Sequence, residues 1–255
     1  MKGYSALQIV KIAFDTHVHV YPFYDERAVF AAVAAKARAL DADVAGICLT
    51  ERFDCHFFQS LRARGNVPLR GECATITVDG RELLVFAGRQ VVTKERIEVL
   101  ALTTDADIPD GLAAREVLQR VRDAGGVPVL AWAPGKWLFN RGKLVASLIE
   151  EAKAGELVLG DSSLRPIGWG EPLLFKQGAR KGLPVIAGSD PLPFAGEERQ
   201  AGRYMTLWDE SFDATNPVTE MRRLLGRCIG RRTGKRSSMP EVVTRLRQNA
   251  RSKAT

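Results

Sequence analysis

A chain of 255 residues with 45% hydrophobic and 26% charged residues has the make-up of a soluble globular protein, long enough for one large core. No apolar run approaches the roughly eighteen residues of a membrane-spanning helix, and no signal peptide is expected from the weak N-terminal apolar stretch, broken by Lys11 and followed by no small-residue cleavage site. The net charge of +7 is uneven: residues 221–255 hold eleven Lys and Arg against Glu241 alone, leaving 26 basic and 29 acidic groups elsewhere.

The charge split divides the chain into a folded domain, 1–220, and a basic C-terminal tail, 221–255, expected to be partly helical or disordered. Such a tail suits an acidic partner, anionic lipid or nucleic acid, or is simply solvated. Cys48, Cys55, Cys73 and Cys228 show neither CxxC spacing nor a disulfide framework. They read as free thiols of a reducing compartment, so a cytoplasmic location is expected.

In chain order, residues 9–20 are β-rich and apolar, a strand ending in the histidine pair His17 and His19. Residues 25–40 open with Asp and Glu and continue as an Ala-rich helix. Residues 44–49 read as a buried strand and 57–64 as a short helix. The β-rich runs 74–78 and 82–87 flank an Asp-Gly pair, a hairpin signal. Strands are expected at 96–102, 127–132, 156–159 and 183–190, alternating with helices at 111–124, 142–154 and 171–181. The Gly- and Pro-rich stretch 188–209 reads as a long loop, with Arg199 and Arg203 placed to cover a bound anion. Helices at 216–228 and 239–250 end the chain. Strand–helix alternation at this length indicates an α/β fold, with barrel closure favoured over an open sheet.

Residues two apart on a strand face the same way, so His17 and His19 converge on one point. Imidazole nitrogen suits Zn, Mn or Fe, and a carboxylate normally completes such a site. Asp15 lies two residues earlier on the same strand face. His56, the third histidine, is either a replacement ligand or an ordinary helix residue.

The order FDTHVH (14–19), helix, strand with Thr50-Glu51-Arg52, and late LPVIAGSD (183–190) resembles the PHP superfamily, the polymerase and histidinol phosphatase domains, over residues 9–195. The resemblance implies a distorted (β/α)7 barrel, here with a basic C-terminal extension, and a metal-dependent phosphoesterase. It also implies that His17, His19 and Asp190 are metal ligands. Several positions depart from the family pattern. Arg52 stands where the family has His, Gln90 where it has a bridging Glu, and Glu98, Trp132 and Leu192 where it has further His. Trp and Leu cannot ligate, so a trinuclear centre is reduced to one divalent ion, held by His17, His19, Asp190 and Gln90.

The expected chemistry is hydrolysis of a small anionic substrate, a phosphoester, by metal-bound water. Arg52 serves as anion anchor, and Glu51 or Glu98 as general base or remaining carboxylate. Trp132 and Arg203 are the expected substrate contacts; Trp137 and Trp169 sit in loops of the same kind, and Lys136 and Arg165 are either anion contacts or solvated. The lost ligands also support the alternative of a non-catalytic PHP-like module that binds a ligand or partner.

Overall fold

The computed structural model describes residues 8–252. β1 (Ile9–Val18) is buried throughout its second half, as a central strand must be, and leads to α1 (Glu26–Ala39). Asp25 caps that helix by accepting from the Arg27 N–H, and Val29, Phe30, Val33 and Ala37 form its inward stripe. β2 (Val44–Leu49) and α2 (Phe57–Ala63) follow, then β3 (Leu69–Arg70), β4 (Cys73–Val78) and β5 (Arg81–Phe86). Asp79 and Gly80, both at positive φ, make the tight turn expected between β4 and β5.

The middle of the chain holds β6 (Gly88–Val92), β7 (Glu98–Leu102), α3 (Ala114–Asp123), β8 (Val127–Ala131) and α4 (Phe139–Glu151). β9 (Val158–Ser162), α5 (Leu173–Arg180) and β10 (Val185–Gly188) complete it. A 3-10 turn at Glu197–Gln200 precedes β11 (Tyr204–Ser211), α6 (Pro217–Leu225), β12 (Arg231–Gly234) and α7 (Met239–Ser252). No helix among the described residues is long and apolar enough to cross a membrane.

The strands form a mixed α/β architecture of two sheets rather than one closed ladder. One sheet runs β12-β11-β1-β2-β5-β4-β3 and the other β10-β9-β8-β7-β6. Two seams join them. At one, the Asp190 N–H donates to the His17 carbonyl at 2.9 Å and Thr16 Oγ1 to the Ala187 carbonyl at 3.0 Å. At the other, the Glu51 N–H meets the Gly88 carbonyl at 3.0 Å and the Gln90 N–H meets the Glu51 carbonyl at 2.9 Å. Glycine is required at the first seam: a Cβ on Gly188 would overlap the His17 backbone. The ends of β1, β2, β6 and β10 are thereby drawn around one mouth.

The stretch expected to be a single long loop, 188–209, instead contains most of β11, antiparallel to β1. Its residues Tyr204–Trp208 are all buried, so the period-two alternation that reveals a half-exposed strand is absent.

Residues 221–252 span the end of α6, β12, α7 and the turns between them, and several of their charges meet acids of the body. Arg223 pairs with Glu210 at 3.3 Å, Arg232 with Asp161 at 2.9 Å and Arg245 with Glu197 at 2.5 Å. Asp161, fully buried, also takes both Arg165 contacts, at 2.8 and 2.6 Å, and the Tyr204 hydroxyl at 2.9 Å. Arg165 is thus committed inside the fold rather than available to an external anion.

Candidate metal centre

His17 lies near the end of β1 and His19 just beyond it. Between Asp15 and Val18 the β1–β2 register slips, a bulge that re-aims the side chains. Asp15 does not join the histidines. Its carboxylate accepts from the N–H groups of Ser189 and Gly202, each at 2.8 Å, and of His17 at 3.2 Å. Burial pushes this carboxyl up to about 7, against the pull of those bonds. Asp15 therefore fastens β1 to the chain that carries Asp190.

His17 Nε2 lies 3.2 Å from His19 Nε2 and 3.2 Å from Gln90 Oε1. Asp190 Oδ1 is 3.5 Å from the first imidazole nitrogen and 3.7 Å from the second. His17, His19 and Asp190 are buried and offer donor atoms that all lie within 4.8 Å of one another. Asp190 sits at φ 51°, a left-handed conformation uncommon for a non-glycine residue. Its N–H bond to His17 and the Ser162 Oγ bond to its Oδ2, at 3.2 Å, hold it there.

Electrostatics favour the ligating protonation states. Burial lowers the His17 pKa and keeps its imidazole neutral, although Asp190 pulls the other way. Burial also opposes charge on Asp190, but the neighbouring His17 and His19 prevail and hold its carboxyl below the ordinary range. Neutral imidazole beside ionised carboxylate is what a divalent cation needs. His19 Nδ1 is buried without a protein partner, so the ring is positioned by stacking on Tyr21, 5.4 Å between centroids, and by what its Nε2 meets. Two nitrogens, one carboxylate and one amide oxygen fit a single Zn, Mn or Fe ion.

The cluster opens into a cleft of about 440 Å³ bordered by Tyr21, Arg52, Glu98, Lys136, Leu192 and Asn249, among others. Arg52 lies 3.6 Å from Asp54 and remains partly exposed. Glu98 pairs with Lys136 at 3.0 Å, which places a carboxylate and an ammonium together on the cleft wall.

The remaining expected site residues lie elsewhere. Trp132 is buried in the core with Trp137 and Phe175, and Ala133, Pro134 and Lys136 face the cleft in its stead. Trp169 is half exposed, and its carbonyl accepts from Arg165. Arg203 binds Glu241 and Gln200 and so ties α7 to β11. His56 is exposed at the start of α2, outside the cluster. Sequence reasoning passed over Tyr21, a near neighbour of His19 in the chain, and Ser162, which the pairing of β9 with β10 brings to Asp190.

Glu51 turns away to cap α2, its Oε1 accepting from the Phe57 and Phe58 N–H groups. Burial pushes its carboxyl from 4.5 up to about 7, despite those bonds. The folded state thus keeps a proton that the unfolded chain releases across this window. Stability should therefore fall as pH rises through it, by roughly 3 kcal/mol at most. Glu51→Gln retains the capping oxygen and should flatten that decline in urea unfolding between about pH 5 and 7.5. Equal slopes in both proteins would show that Glu51 titrates normally.

A mixed α/β protein with a buried His–His–Asp centre at the junction of two sheets is the class these features define. No family model matches the sequence, and no curated protein does. Solved structures do. PsfC from Pseudomonas syringae PB-5123 is similar with a TM-score of 0.63 and 16% identity, over 96% of this chain and 100% of that one. A two-domain protein from Bacteroides vulgatus containing a predicted PHP-like metal-dependent phosphoesterase matches with a TM-score of 0.53 and 13% identity, over 91% and 70% of the chains. The lesion-specific endonuclease PfuEndoQ from Pyrococcus furiosus gives 0.50 and 16%, over 88% of this chain and 57% of its own. At such identities the likeness establishes fold alone: the chain shares the fold of these structures, a predicted PHP-like metal-dependent phosphoesterase among them.

Proposed function

We propose that the protein is a metal-dependent hydrolase acting on a small anionic phosphoester from a reduced, single-ion site. The observation that carries this reading is the convergence of His17, His19 and Asp190 in a cleft that also presents Arg52 and Lys136. The two sheets, stitched at both seams, correspond in this reading to parted halves of the PHP barrel. One divalent ion held by His17, His19, Asp190 and Gln90 would supply Lewis acidity and a water of lowered pKa.

The chain's own residues account for the rest. Asp190 supplies the negative charge of the ligand set, and Ser162 and the His17 carbonyl fix its orientation. Arg52 offers a planar fork to phosphate oxygens, which a lysine cannot match. Glu98 is the carboxylate on the cleft wall placed to accept a proton, and Lys136 keeps it oriented.

Purified protein supplied with Zn, Mn or Fe should hydrolyse simple phosphomonoesters such as p-nitrophenyl phosphate. Arg52→Ala should lower kcat/KM by roughly ten- to a hundredfold while metal content is unchanged. A second reading, a non-catalytic ligand-binding module, draws on Leu192 at the cleft and on the neutral Gln90 beside His17. Metal-loaded protein that binds phosphate but turns over no phosphoester would establish that second reading and end the first.

A further inference from the structure

Five large apolar side chains stand in water at one end of the molecule: Leu138, Phe139, Ile167, Trp169 and Leu173, between 49 and 87% exposed. They belong to the segments that follow β8 and β9, two parallel neighbours, so both segments leave from the same end of the sheet. A few residues earlier the same segments line the cleft, through Pro134 and Lys136 in one and Leu164 in the other. Trp137 packs edge-on against Phe175 at 5.4 Å between centroids, which sets the start of α4 beside the start of α5. The Ile167 N–H donates to the Ser237 carbonyl, and Arg236 donates to the carbonyls of Pro166 and Trp169. Phe139 is the extreme case. It is held at φ 54°, a strained conformation for a bulky residue, and at 87% exposure it gains no burial to offset that strain.

The surface around these side chains is cationic. Residues 132–149 contain no acid, and residues 163–176 contain only Glu171, whose carboxylate Arg232 takes. Arg141, Lys143, Lys176 and Arg236 make no ion pair among the described residues. Lys143 lies one turn after Phe139 and Lys176 one turn after Leu173, each on the same helix face as its apolar neighbour. Arg141 folds back to the Gly135 carbonyl, at the loop that leads to Phe139.

We propose that this end of the molecule docks on an anionic lipid bilayer, the five apolar side chains entering the boundary between headgroups and acyl chains and the four cations meeting lipid phosphates. Phe139 and Leu173 project with 87 and 80% of their surface exposed. A folded partner must offer a matching pocket for each, whereas a bilayer interface receives them without one. Lysine is depleted in protein–protein interfaces but favoured beside anionic headgroups, where its stem follows the apolar surface and its ammonium stays in water. None of these nine residues borders the cleft, so docking is independent of the metal chemistry there.

The full chain is sedimented with sucrose-loaded vesicles of phosphatidylcholine alone or of an equimolar mixture with phosphatidylglycerol. Wild type should bind the anionic vesicles on the order of tenfold more tightly than the neutral ones. Phe139→Ser/Leu173→Ser should weaken that binding roughly tenfold or more, with thermal unfolding unchanged because both side chains are exposed. Lys143→Gln/Lys176→Gln should weaken binding to the anionic vesicles and leave the neutral ones unaffected. Trp169 is the most exposed of the four tryptophans, so anionic vesicles should shift the emission to the blue in wild type and not in Trp169→Phe. Absence of binding to the anionic vesicles, or binding that either pair of substitutions leaves unchanged, overturns the proposal. A wild-type dimer that the serine pair converts to monomer would assign the patch to a second copy of the chain and overturn it as well.

Discussion

Replacing His17 and His19 together by alanine should abolish stoichiometric metal binding and reduce phosphoester hydrolysis by roughly a thousandfold or more, because water without a cation reverts from a pKa near 7 towards 15.7. The two Nε2 atoms stand 3.2 Å apart with Asp190 Oδ1 within 3.7 Å, so removing the imidazoles leaves one carboxylate and the Gln90 amide oxygen. That remainder is a weak oxygen site for the metals considered. Elemental analysis of protein purified without chelator reads the loss directly. Thermal unfolding supplies a second readout. An ion at a hundred times its Kd stabilises the wild type by about 2.7 kcal/mol, whereas the double variant should gain nothing from added metal. Both histidines are buried, so the variant will be somewhat less stable for packing reasons alone; only the response to metal distinguishes the two effects. A wild type that takes up no Zn, Mn or Fe and gains no stability from them would end the hydrolase reading.

Local chemistry made much of this molecule legible in its sequence. The Asp-Gly turn, the Asp25 cap and the apolar stripe of α1 are decided within a few residues, and the structure holds all three. The histidine pair was legible because strand alternation puts residues two apart on one face. Asp15 shows the limit of that rule: the bulge between Asp15 and Val18 diverts its carboxylate to the backbone of Ser189 and Gly202. β11 was hidden by the continuous burial of Tyr204–Trp208, which erases alternation. The charge division at residue 221 was real in composition but silent about geometry. It could not show that Arg232 and Arg245 find Asp161 and Glu197 inside the same chain. Trp132 follows a strand, as a cleft residue does, yet it is buried in the core cluster that also holds Trp137 and Phe175, and Lys136 faces the cleft instead. These outcomes depend on which elements meet, and spacing along a chain carries little of that information.

The buried Arg245–Glu197 pair should show the largest effect on stability. Arg245→Met is expected to destabilise the protein by roughly 3–5 kcal/mol, since it strands a buried carboxylate, and Glu197→Leu should do comparable harm by stranding the guanidinium. The double variant should lose far less than the sum, because replacing both partners by apolar groups of similar volume removes the desolvation penalty along with the attraction. Urea unfolding of the four proteins gives this coupling directly. The pair also has a second consequence. Glu197 Oε2 accepts from the Leu192 N–H at 2.9 Å and Arg245 lies 3.4 Å from the Asp190 carbonyl, so the two residues brace the loop that carries the Asp190 carboxylate. Asp190 occupies a strained left-handed conformation that relaxes once its supports are loosened. The double variant should therefore recover stability but not full metal affinity, because the substituted leucine offers no acceptor to the Leu192 N–H and the substituted methionine no donor to the Asp190 carbonyl. Recovery of both together would mean that Asp190 is held by Ser162 and His17 alone, and that the pair serves only to dock α7.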